Sequence, residues 1–202
     1  MSGPCGWPQD RDVPHPDPAD SLLVEDGLAL RVPSERDAAE LFLHIDANRD
    51  YLREWLPWLD DVTSPEDEAA AIRRGAEKKE KGGGCFYLIC LDRNIVGTIS
   101  LNSIDWDNRG FTIGYWISEE TMGNGIVTKS CVRLLEHCFD DLCLHRGTLE
   151  AAVENYASRA IAERLGMRLE GLTKDREWLY DHYVDSSLYA ITAPEWRERS
   201  QG

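Results

Sequence analysis

The sequence has no apolar run that approaches the roughly 20 residues needed for a membrane-spanning helix. Its N-terminus also lacks the basic segment followed by an apolar stretch that marks a secretory signal. Basic residues are few, since 22 Lys and Arg stand against 37 Asp and Glu and the formal net charge is -15. That balance disfavours a phosphate-backbone partner. We therefore predict a cytoplasmic protein that binds neither a membrane nor a nucleic acid. The acidic surface either attracts cationic partners or only maintains solubility.

The cysteine spacing is not that of a common metal-binding or redox motif. None of the six belongs to a C-x-x-C pair. Cys131 and Cys138 lie on the apolar face of a predicted helix, which is typical of buried thiols. We predict reduced cysteines rather than disulfides or a zinc site, and we expect no metal.

At 202 residues, the chain suits one domain with a substantial core. Residues 1–21 contain five prolines and no hydrophobic periodicity, which predicts a disordered leader. We assign residues 22–194 to the domain and residues 195–202 to a tail.

Hydrophobic periodicity predicts a mixed order of strands and helices. A strand at 22–32 precedes the capping box Ser34-Glu-Arg-Asp37, a helix, and a second short helix after Asn48. The segment Ser64-Pro65-Glu66-Asp67 marks the start of another helix. Further strands are predicted at 85–91, 95–104, 111–117, 147–153, 168–179 and 183–192, with helices beginning near Gly125 and Asn155.

The most informative stretch ends a predicted strand and opens an amphipathic helix through the turn Met122-Gly-Asn-Gly125-Ile-Val-Thr128. The first turn of a helix has unpaired N–H groups and a partial positive charge, so it can bind phosphate oxygens. Gly123 and Gly125 would allow a close approach. A plain strand-to-helix turn explains the same residues equally well. The turn matches neither G-x-G-x-x-G, because no third glycine follows, nor G-x-x-x-x-G-K-[ST], because Thr128 precedes Lys129.

Aromatic residues follow the second predicted helix at helical spacing: Tyr51, Trp55 and Trp58, with Asp60 and Asp61 close behind. They are either core residues or the wall of a site for a cationic substrate. On the second interpretation, Trp55, Trp58, Asp60 and Asp61 bind the substrate.

Three segments together resemble the GNAT superfamily of acetyl-CoA-dependent N-acetyltransferases, and in particular its RimJ/RimL type, which acetylates N-termini of ribosomal proteins. They are Gly114-Tyr-Trp-Ile, Met122-Gly-Asn-Gly125-Ile-Val and residues 154–171, and the resemblance extends over roughly residues 22–193. It implies an α+β fold whose central, mostly antiparallel sheet has seven strands, with the fourth and fifth splayed apart and helices on either side.

The resemblance also implies a binding site for acetyl-CoA. The superfamily's pyrophosphate loop is Q/R-x-x-G-x-G/A, from which this chain departs at Met122 and Val127. Main-chain groups of Tyr115, Trp116 and Ile117 would bind the pantetheine arm, and an N–H near Ile117 would face the thioester oxygen. Asn155 would bind the pantetheine amides. The full implied cofactor set is Tyr115, Trp116, Ile117, Met122, Gly123, Asn124, Gly125, Ile126, Val127, Thr128, Asn155 and Ser158.

The resemblance assigns two catalytic residues. Many members protonate the leaving thiolate with a tyrosine, but the matching position here is Ala162, and the RimL type offers Ser158 instead. Glu177 would be the base that takes the proton of the attacking amine. Judged without the resemblance, Asn155 is a helix cap, Ser158 an ordinary helix residue, and Glu177 a partner of Arg176 or Lys174.

The expected function is therefore transfer of acetyl to a primary amine, the α-amine of a ribosomal or other protein, by direct attack. A small-molecule acceptor, such as an amine antibiotic or an aminoacyl nucleotide, is the first alternative. A non-catalytic acyl-CoA-binding module is the second. A homodimer is possible.

Overall fold

A mixed sheet of eight strands organises the protein. The computed structural model describes residues 15–199, and its strand order is β1-β2-β3-β4-β5-β6-β8-β7. Neighbouring strands are antiparallel except β5 and β6, which are parallel. The strands are β1 Ser21–Glu25, β2 Leu28–Arg31, β3 Cys85–Leu91, β4 Asn94–Asp105, β5 Gly110–Ile117, β6 Arg146–Ala152, β7 Arg168–Leu179 and β8 His182–Thr192.

The helices cover both faces of this sheet. They are α1 Ala38–Ala47, α2 Arg49–Arg53, α3 Pro65–Glu80, α4 Ile126–Glu136, α5 Tyr156–Arg164 and α6 Ala193–Arg199. A π-helical turn, His137–Asp141, continues α4. The predicted helix starts are confirmed in detail for α3, since Ser64 accepts a hydrogen bond from the Asp67 N–H and Pro65 is the first helical residue.

The predicted count of seven strands is wrong by one. Residues 22–32 form two strands instead of one, joined by a turn at Asp26 and Gly27. Gly27 has a φ of 79°, which suits glycine, and an Asp-Gly pair is a common hairpin turn. The other predicted strands and helices lie close to their predicted bounds, and the mixed α/β architecture is confirmed.

Alternate residues of the strands pack into two separate cores. The α4 face, covered by α4, α5 and α6, includes Tyr87, Ile113 and Leu149. The α3 face, covered by α1, α2 and α3, includes Leu88 and Trp116. Because adjacent residues of a strand point to opposite faces, β5 contributes side chains to both cores.

The sheet opens between β5 and β6. These strands pair only from Gly110 opposite Arg146 to Ile113 opposite Leu149. Beyond this point Gly114–Ile117 pair with β4 alone, and the end of β6 pairs with β8 alone. The predicted splay is therefore present, between the fifth and sixth strands of this chain because the first strand is divided.

Both ends of the domain lie further out than predicted. His15 stacks on Trp106 with 4.5 Å between ring centroids, and the Ala19 N–H donates to Nε2 of His137 at 3.1 Å. At the other end, Trp196 is buried beside Phe139 on the α4 face, so Glu195–Arg199 belong to a packed helix rather than a tail. Of the predicted leader and tail, residues 1–14 and 200–202 lie outside the described residues.

Cys85, Cys90, Cys131 and Cys138 are buried free thiols. Burial raises the pKa of each, to about 11 for Cys85. These four are therefore uncharged core residues. Over residues 15–199, no helix combines the length and the apolar character required to cross a membrane.

Candidate active site

A cleft with a volume of about 1040 Å³ lies at the opening between β5 and β6. It brings together most of the residues predicted from the sequence to form the site. These are Trp55, Trp58, Tyr115, Trp116, Ile117, Met122, Gly123, Gly125, Ile126, Val127, Thr128, Asn155, Ser158 and Glu177. They come from the turn after α2, from β5, from the turn before α4 and the start of α4, from the start of α5, and from β7.

One wall is the turn of residues 123–128, which leads into α4. Gly123 and Gly125 have φ values of 78° and 74°, and a Cβ added to either would meet nothing within 4 Å. Within the described residues, the backbone N–H groups of 123–128 donate no hydrogen bond, and the first helical bond is from Lys129 N–H to the Gly125 carbonyl. Unpaired donors at a helix N-terminus in open space can bind an anion.

The two departures from the superfamily's loop have different surroundings. The Met122 side chain is exposed on the turn. Val127 is 7% exposed and packs into the core of the α4 face. Its branched side chain is thus largely accommodated by the core, and its N–H remains at the first turn of α4.

The end of β5 supplies main-chain groups to the opening. The Ser118 N–H donates to the Val96 carbonyl on β4 at 2.8 Å. Main-chain groups alternate in direction along a strand, so those of Tyr115 and Ile117 point away from β4 and towards the gap. Trp116 lies opposite Thr98 and directs its main-chain groups at β4. The predicted main-chain contact from Trp116 is therefore wrong, although the residue lines the cleft.

The start of α5 forms the opposite wall. Asn155 caps the helix, because its side-chain oxygen accepts the Ser158 N–H at 3.0 Å. Its amide nitrogen makes no hydrogen bond with the described residues, and Asn155 lines the cleft. The cap expected from the residues alone is therefore present, and it leaves the amide donor available to a ligand.

Ser158 has a partner that the sequence did not reveal. Its Oγ shares a hydrogen bond of 2.9 Å with the Tyr115 hydroxyl, for which the Ser158 carbonyl at 3.3 Å is the alternative acceptor. Burial raises the pKa of Tyr115, so the phenol stays protonated. Tyr115 and Ser158 are 43 positions apart. Only the tertiary packing of β5 against α5 shows that they are in contact.

Glu177 reaches the cleft through an irregularity in β7. The register between β7 and β8 shifts between Thr173 and Glu177, and such bulges re-aim side chains. Arg176 is bound by Glu150, with Nε to Oε2 at 2.6 Å, so the predicted alternative pairing of Glu177 with Arg176 is absent. Glu177 makes no ion pair with the described residues.

The surroundings of Glu177 favour its protonated form. Partial desolvation raises the pKa of this carboxyl; the nearby Arg176 opposes the rise and Glu150 adds to it. The carboxylate is accessible from the cleft, because Glu177 is among the lining residues. A carboxylate with a raised pKa and no ion-pair partner is suited to accept a proton.

Three predicted site residues do not face this cleft. The Asn124 amide bonds the carbonyls of Thr121 and Met122 and so stabilises the turn. Asp60 accepts two hydrogen bonds from Arg53 at 2.9 and 2.8 Å, on the outer surface. Asp61 lines a second cavity on the α3 face. The short turn Leu59–Asp61 buries Leu59 and directs both acids away from the cleft.

Trp55 and Trp58 do line the cleft, together with Tyr51. Trp58 also packs against the core of the α3 face. The two interpretations of these aromatic residues, core and substrate wall, are therefore compatible for Trp58. Within residues 15–199, no cluster of three His, Cys, Asp or Glu side chains could hold a metal ion.

Comparison with known proteins gives a consistent assignment. The family model described as "Acetyltransferase (GNAT) domain" matches residues 28–168. The ribosomal-protein-serine acetyltransferase of Escherichia coli (strain K12) is 30% identical over 171 residues, which cover 85% of this chain and 96% of that protein. These matches disfavour the non-catalytic module, because the relative is an enzyme by name.

Two solved structures are also similar. One is RimL, a ribosomal alpha-N-protein acetyltransferase in complex with coenzyme A, with a TM-score of 0.83 and 30% identity; the match covers 85% of this chain and 97% of that one. The other is the microcin C7 self-immunity acetyltransferase MccE in complex with acetyl-CoA and AMP, with a TM-score of 0.81 and 28% identity; the match covers 84% and 94%. The chain therefore belongs to the GNAT acetyltransferase family and is an acetyl-CoA-dependent N-acetyltransferase.

Proposed function

We propose that this enzyme acetylates the α-amine of a protein N-terminus, with Glu177 as the general base and Ser158 as the general acid. The proposal rests mainly on Glu177, which lines the cleft and has no ion-pair partner among the described residues. Its carboxylate lines the cleft, while the neighbouring Arg176 is occupied by Glu150. The names of the ribosomal-protein acetyltransferases that the chain resembles support this class of acceptor.

The residues at the opening fit coenzyme A. Residues 123–128 would hold the diphosphate through N–H groups that lack other partners, with the α4 dipole adding to the attraction. The Asn155 amide and the main-chain groups of Tyr115 and Ile117 would hold the pantetheine arm. When bound, acetyl-CoA supplies the acetyl group as a thioester.

The reaction needs two proton movements, and the cleft offers one group for each. As the acceptor nitrogen forms a bond to the acetyl carbon, it becomes positively charged and gives a proton to the Glu177 carboxylate, directly or through water. The carbon–sulfur bond breaks, and the departing thiolate takes a proton from Ser158 Oγ, which is reprotonated from solvent while Glu177 releases its proton to solvent. The single proton of the Tyr115 hydroxyl goes either to Ser158 Oγ at 2.9 Å or to the Ser158 carbonyl at 3.3 Å, and in the first arrangement the serine proton is left free to face the thiolate. The products are the N-acetyl amine and coenzyme A.

The proposed base suits an α-amine better than a lysine side chain. The unperturbed pKa of an α-amine is about 7.7 to 8.0, whereas that of lysine is about 10.4. Proton transfer to the Glu177 carboxylate, whose pKa is raised by desolvation, is therefore less unfavourable from an α-ammonium than from a lysine ammonium.

A small-molecule amine is a second candidate. It is favoured by the match to MccE, whose structure contains AMP beside acetyl-CoA. The main cleft and the second cavity on the α3 face are both large enough to accept more than a peptide N-terminus.

We propose in addition that the enzyme acts in the cytoplasm, binds neither nucleic acid nor membrane, and can form a homodimer. The formal charge of -15 disfavours binding to the phosphates of a nucleic acid. The edge strand β7 exposes Leu169, Leu172 and Trp178, and this exposed apolar edge supports a homodimer. Light scattering on the purified protein measures its oligomeric state directly.

The test of the acceptor is a competition. The protein is incubated with acetyl-CoA and a mixture of peptides with ribosomal-protein N-termini and amine antibiotics, and acetylated products are identified by mass spectrometry. The proposal predicts α-acetylated peptides with the wild type and far less product with Glu177→Gln. Acetylation of antibiotics alone would replace it with the second candidate, and equal product from both proteins would remove Glu177 as the base.

A further inference from the structure

A second cavity lies on the α3 face and joins the cleft. Its volume is about 640 Å³. It shares Leu56, Trp58, Asn102, Gly114, Tyr115 and Trp116 with the main cleft, so the two spaces meet at the end of β5. Any acceptor that occupies the cleft can therefore extend into this cavity.

An acidic side chain faces this cavity without a partner. Glu68, in the first turns of α3, is 5% exposed and lines the cavity. Its carboxyl makes no hydrogen bond and no ion pair with the described residues, although Arg74 is near enough to influence it. Desolvation disfavours the charged form of such a carboxyl, and carboxyls of this kind occur preferentially at functional sites.

The remaining walls favour a positively charged ligand. Trp58 and Phe86 line the cavity and provide aromatic faces, which attract cations. Asp61 adds a second carboxylate, whereas Asp67 is already bonded to Thr63 and Ser64.

Two cationic residues also border the cavity, and neither neutralises Glu68. Lys78 donates its Nζ to the Asn102 carbonyl at 2.6 Å. Arg74 is exposed at the rim and forms no ion pair with Glu68. Glu68 therefore has no cationic partner among the described residues. An ammonium or a guanidinium in the cavity would provide one, with charge-assisted hydrogen bonds.

We propose that this second cavity binds a positively charged group of the acceptor, additional to the amine that is acetylated, and that Glu68 is its counter-charge. The inference rests on the proposed function, because it assumes an acceptor in the adjoining cleft. The same chemistry is present in a peptide with a lysine or arginine near its N-terminus and in a small molecule with two amines.

Burial alone places Glu68 in an unusual state. Desolvation raises the pKa of its carboxyl to about 7, and Arg74 opposes this rise. A bound cation would favour the ionised form further. Binding of the second cation should therefore be accompanied by release of a proton near neutral pH.

The kinetic test uses matched acceptors and matched variants. One peptide carries lysine at its third position and the other carries glutamine there; 1,5-diaminopentane and pentylamine form the small-molecule pair. We expect the wild type to prefer the charged member of a pair by about 10- to 100-fold in kcat/KM. Glu68→Gln should abolish the preference while leaving the rate with the neutral member within about two-fold. Glu66→Gln, an exposed acid in the same helix, should behave as the wild type.

Calorimetry separates this inference from the proposed function. The binding of 1,5-diaminopentane and of the lysine peptide is measured in the presence of coenzyme A, with no acetyl transfer required. Binding by the wild type and loss of binding by Glu68→Gln, with or without acetylation, support the second cavity; which of the two ligands binds identifies the source of the cation. Absence of binding, or equal binding by both proteins, overturns the inference.

Folding of the variant is checked by thermal unfolding. Because an unpaired buried carboxyl is removed, Glu68→Gln should unfold at the same temperature as the wild type or higher. Glu68→Leu provides a second variant with no polar group at this position. Retention of the preference for the charged member in both variants would also overturn the inference.

Discussion

On the α4 face, the opening of the sheet is bordered by backbone N–H groups of residues 123–128, whereas on the α3 face the adjoining cavity is bordered by side chains such as Glu68, Trp58 and Phe86. The first set depends on one short turn. The second depends on the packing of α3, of the turn after α2 and of β3. Main-chain donors would bind the diphosphate of a cofactor that the whole family shares, whereas side chains can differ between enzymes that accept different amines. The comparison suggests that the α4 face fixes the reaction and the α3 face fixes the acceptor.

The largest effect should come from Glu177, the proposed base for the attacking amine, which lies in the cleft that joins the two faces. Replacing Glu177 with glutamine removes the proposed base, so kcat should fall about 10²- to 10⁴-fold. Acetyl-CoA affinity should not change, because the carboxylate lies outside the 123–128 turn. Steady-state kinetics with calorimetry measures both quantities. Glu80→Gln, at the exposed end of α3, is the matched control.

The pH profile sharpens the same prediction. A base must be ionised, and the pKa of Glu177 is raised by desolvation, so kcat/KM should fall as pH drops through a value above the usual 4.3 or so. This acid limb should be missing in Glu177→Gln. An unchanged limb in the variant would assign it to another group.

Removal of the proposed acid should have a smaller effect. A thiolate is a better leaving group than an amine, so we expect Ser158→Ala to reduce kcat by about 10- to 100-fold. Tyr115→Phe removes only the hydrogen bond to Ser158 and should reduce kcat by about two- to ten-fold. Tyr156→Phe, whose hydroxyl bonds Glu154 instead, is the control for the lost phenol. Equal losses in the two phenylalanine variants would contradict the role of Tyr115.

The turn itself can be tested without changing any functional side chain. Gly125 has a φ of 74°, which costs an alanine about 1 to 2 kcal/mol. If the turn adjusts to avoid this cost, its N–H groups move, and the Kd of coenzyme A should rise about ten-fold. Gly171→Ala is the control, since an added Cβ meets nothing within 4 Å and the residue has no left-handed φ. Calorimetry gives the two Kd values, and a similar change in both variants would refute the prediction.

The smallest effect is expected where the sequence placed a substrate contact that the structure does not support. Asp60 pairs with Arg53 on the outer surface. We therefore expect Asp60→Asn to change the KM of any acceptor by less than about two-fold, because exposed ion pairs contribute little. A larger rise in KM for the acceptor, with unchanged stability of the protein, would show that Asp60 does contribute to acceptor binding.

The two faces also differ in how far the sequence predicts them, because the α4-face turn is contiguous in sequence and the α3-face cavity is not. The turn of residues 123–128 is contiguous, and both of its glycines are visible in the sequence. Asp26 and Gly27 form a recognised turn pair, so the sequence also contained the signal for the first hairpin, although the apolar residues on either side of the turn favoured one strand over 22–32. Local signals were therefore sufficient for most strands and helices.

Glu68 could not be recognised in the same way. It follows Glu66 and Asp67 in the first turns of α3, where acids are expected because they favour the helix N-terminus. Its burial results from the packing of α3 against α1 and β3, which are distant from it in the sequence. The contact between Tyr115 and Ser158 was hidden for the same reason, and α6 was missed because a short helix at the end of a chain has little periodicity.

Hydrogen–deuterium exchange with and without coenzyme A tests most directly whether the cofactor binds on the α4 face or on the α3 face. The N–H groups of residues 123–128 have no partner in the described part of the chain, so they should exchange rapidly in the free protein and slow markedly when coenzyme A binds. Peptides covering α3 should show no change. Unaltered exchange in the turn, or protection that appears in α3 instead, would contradict the assignment of the cofactor to the α4 face.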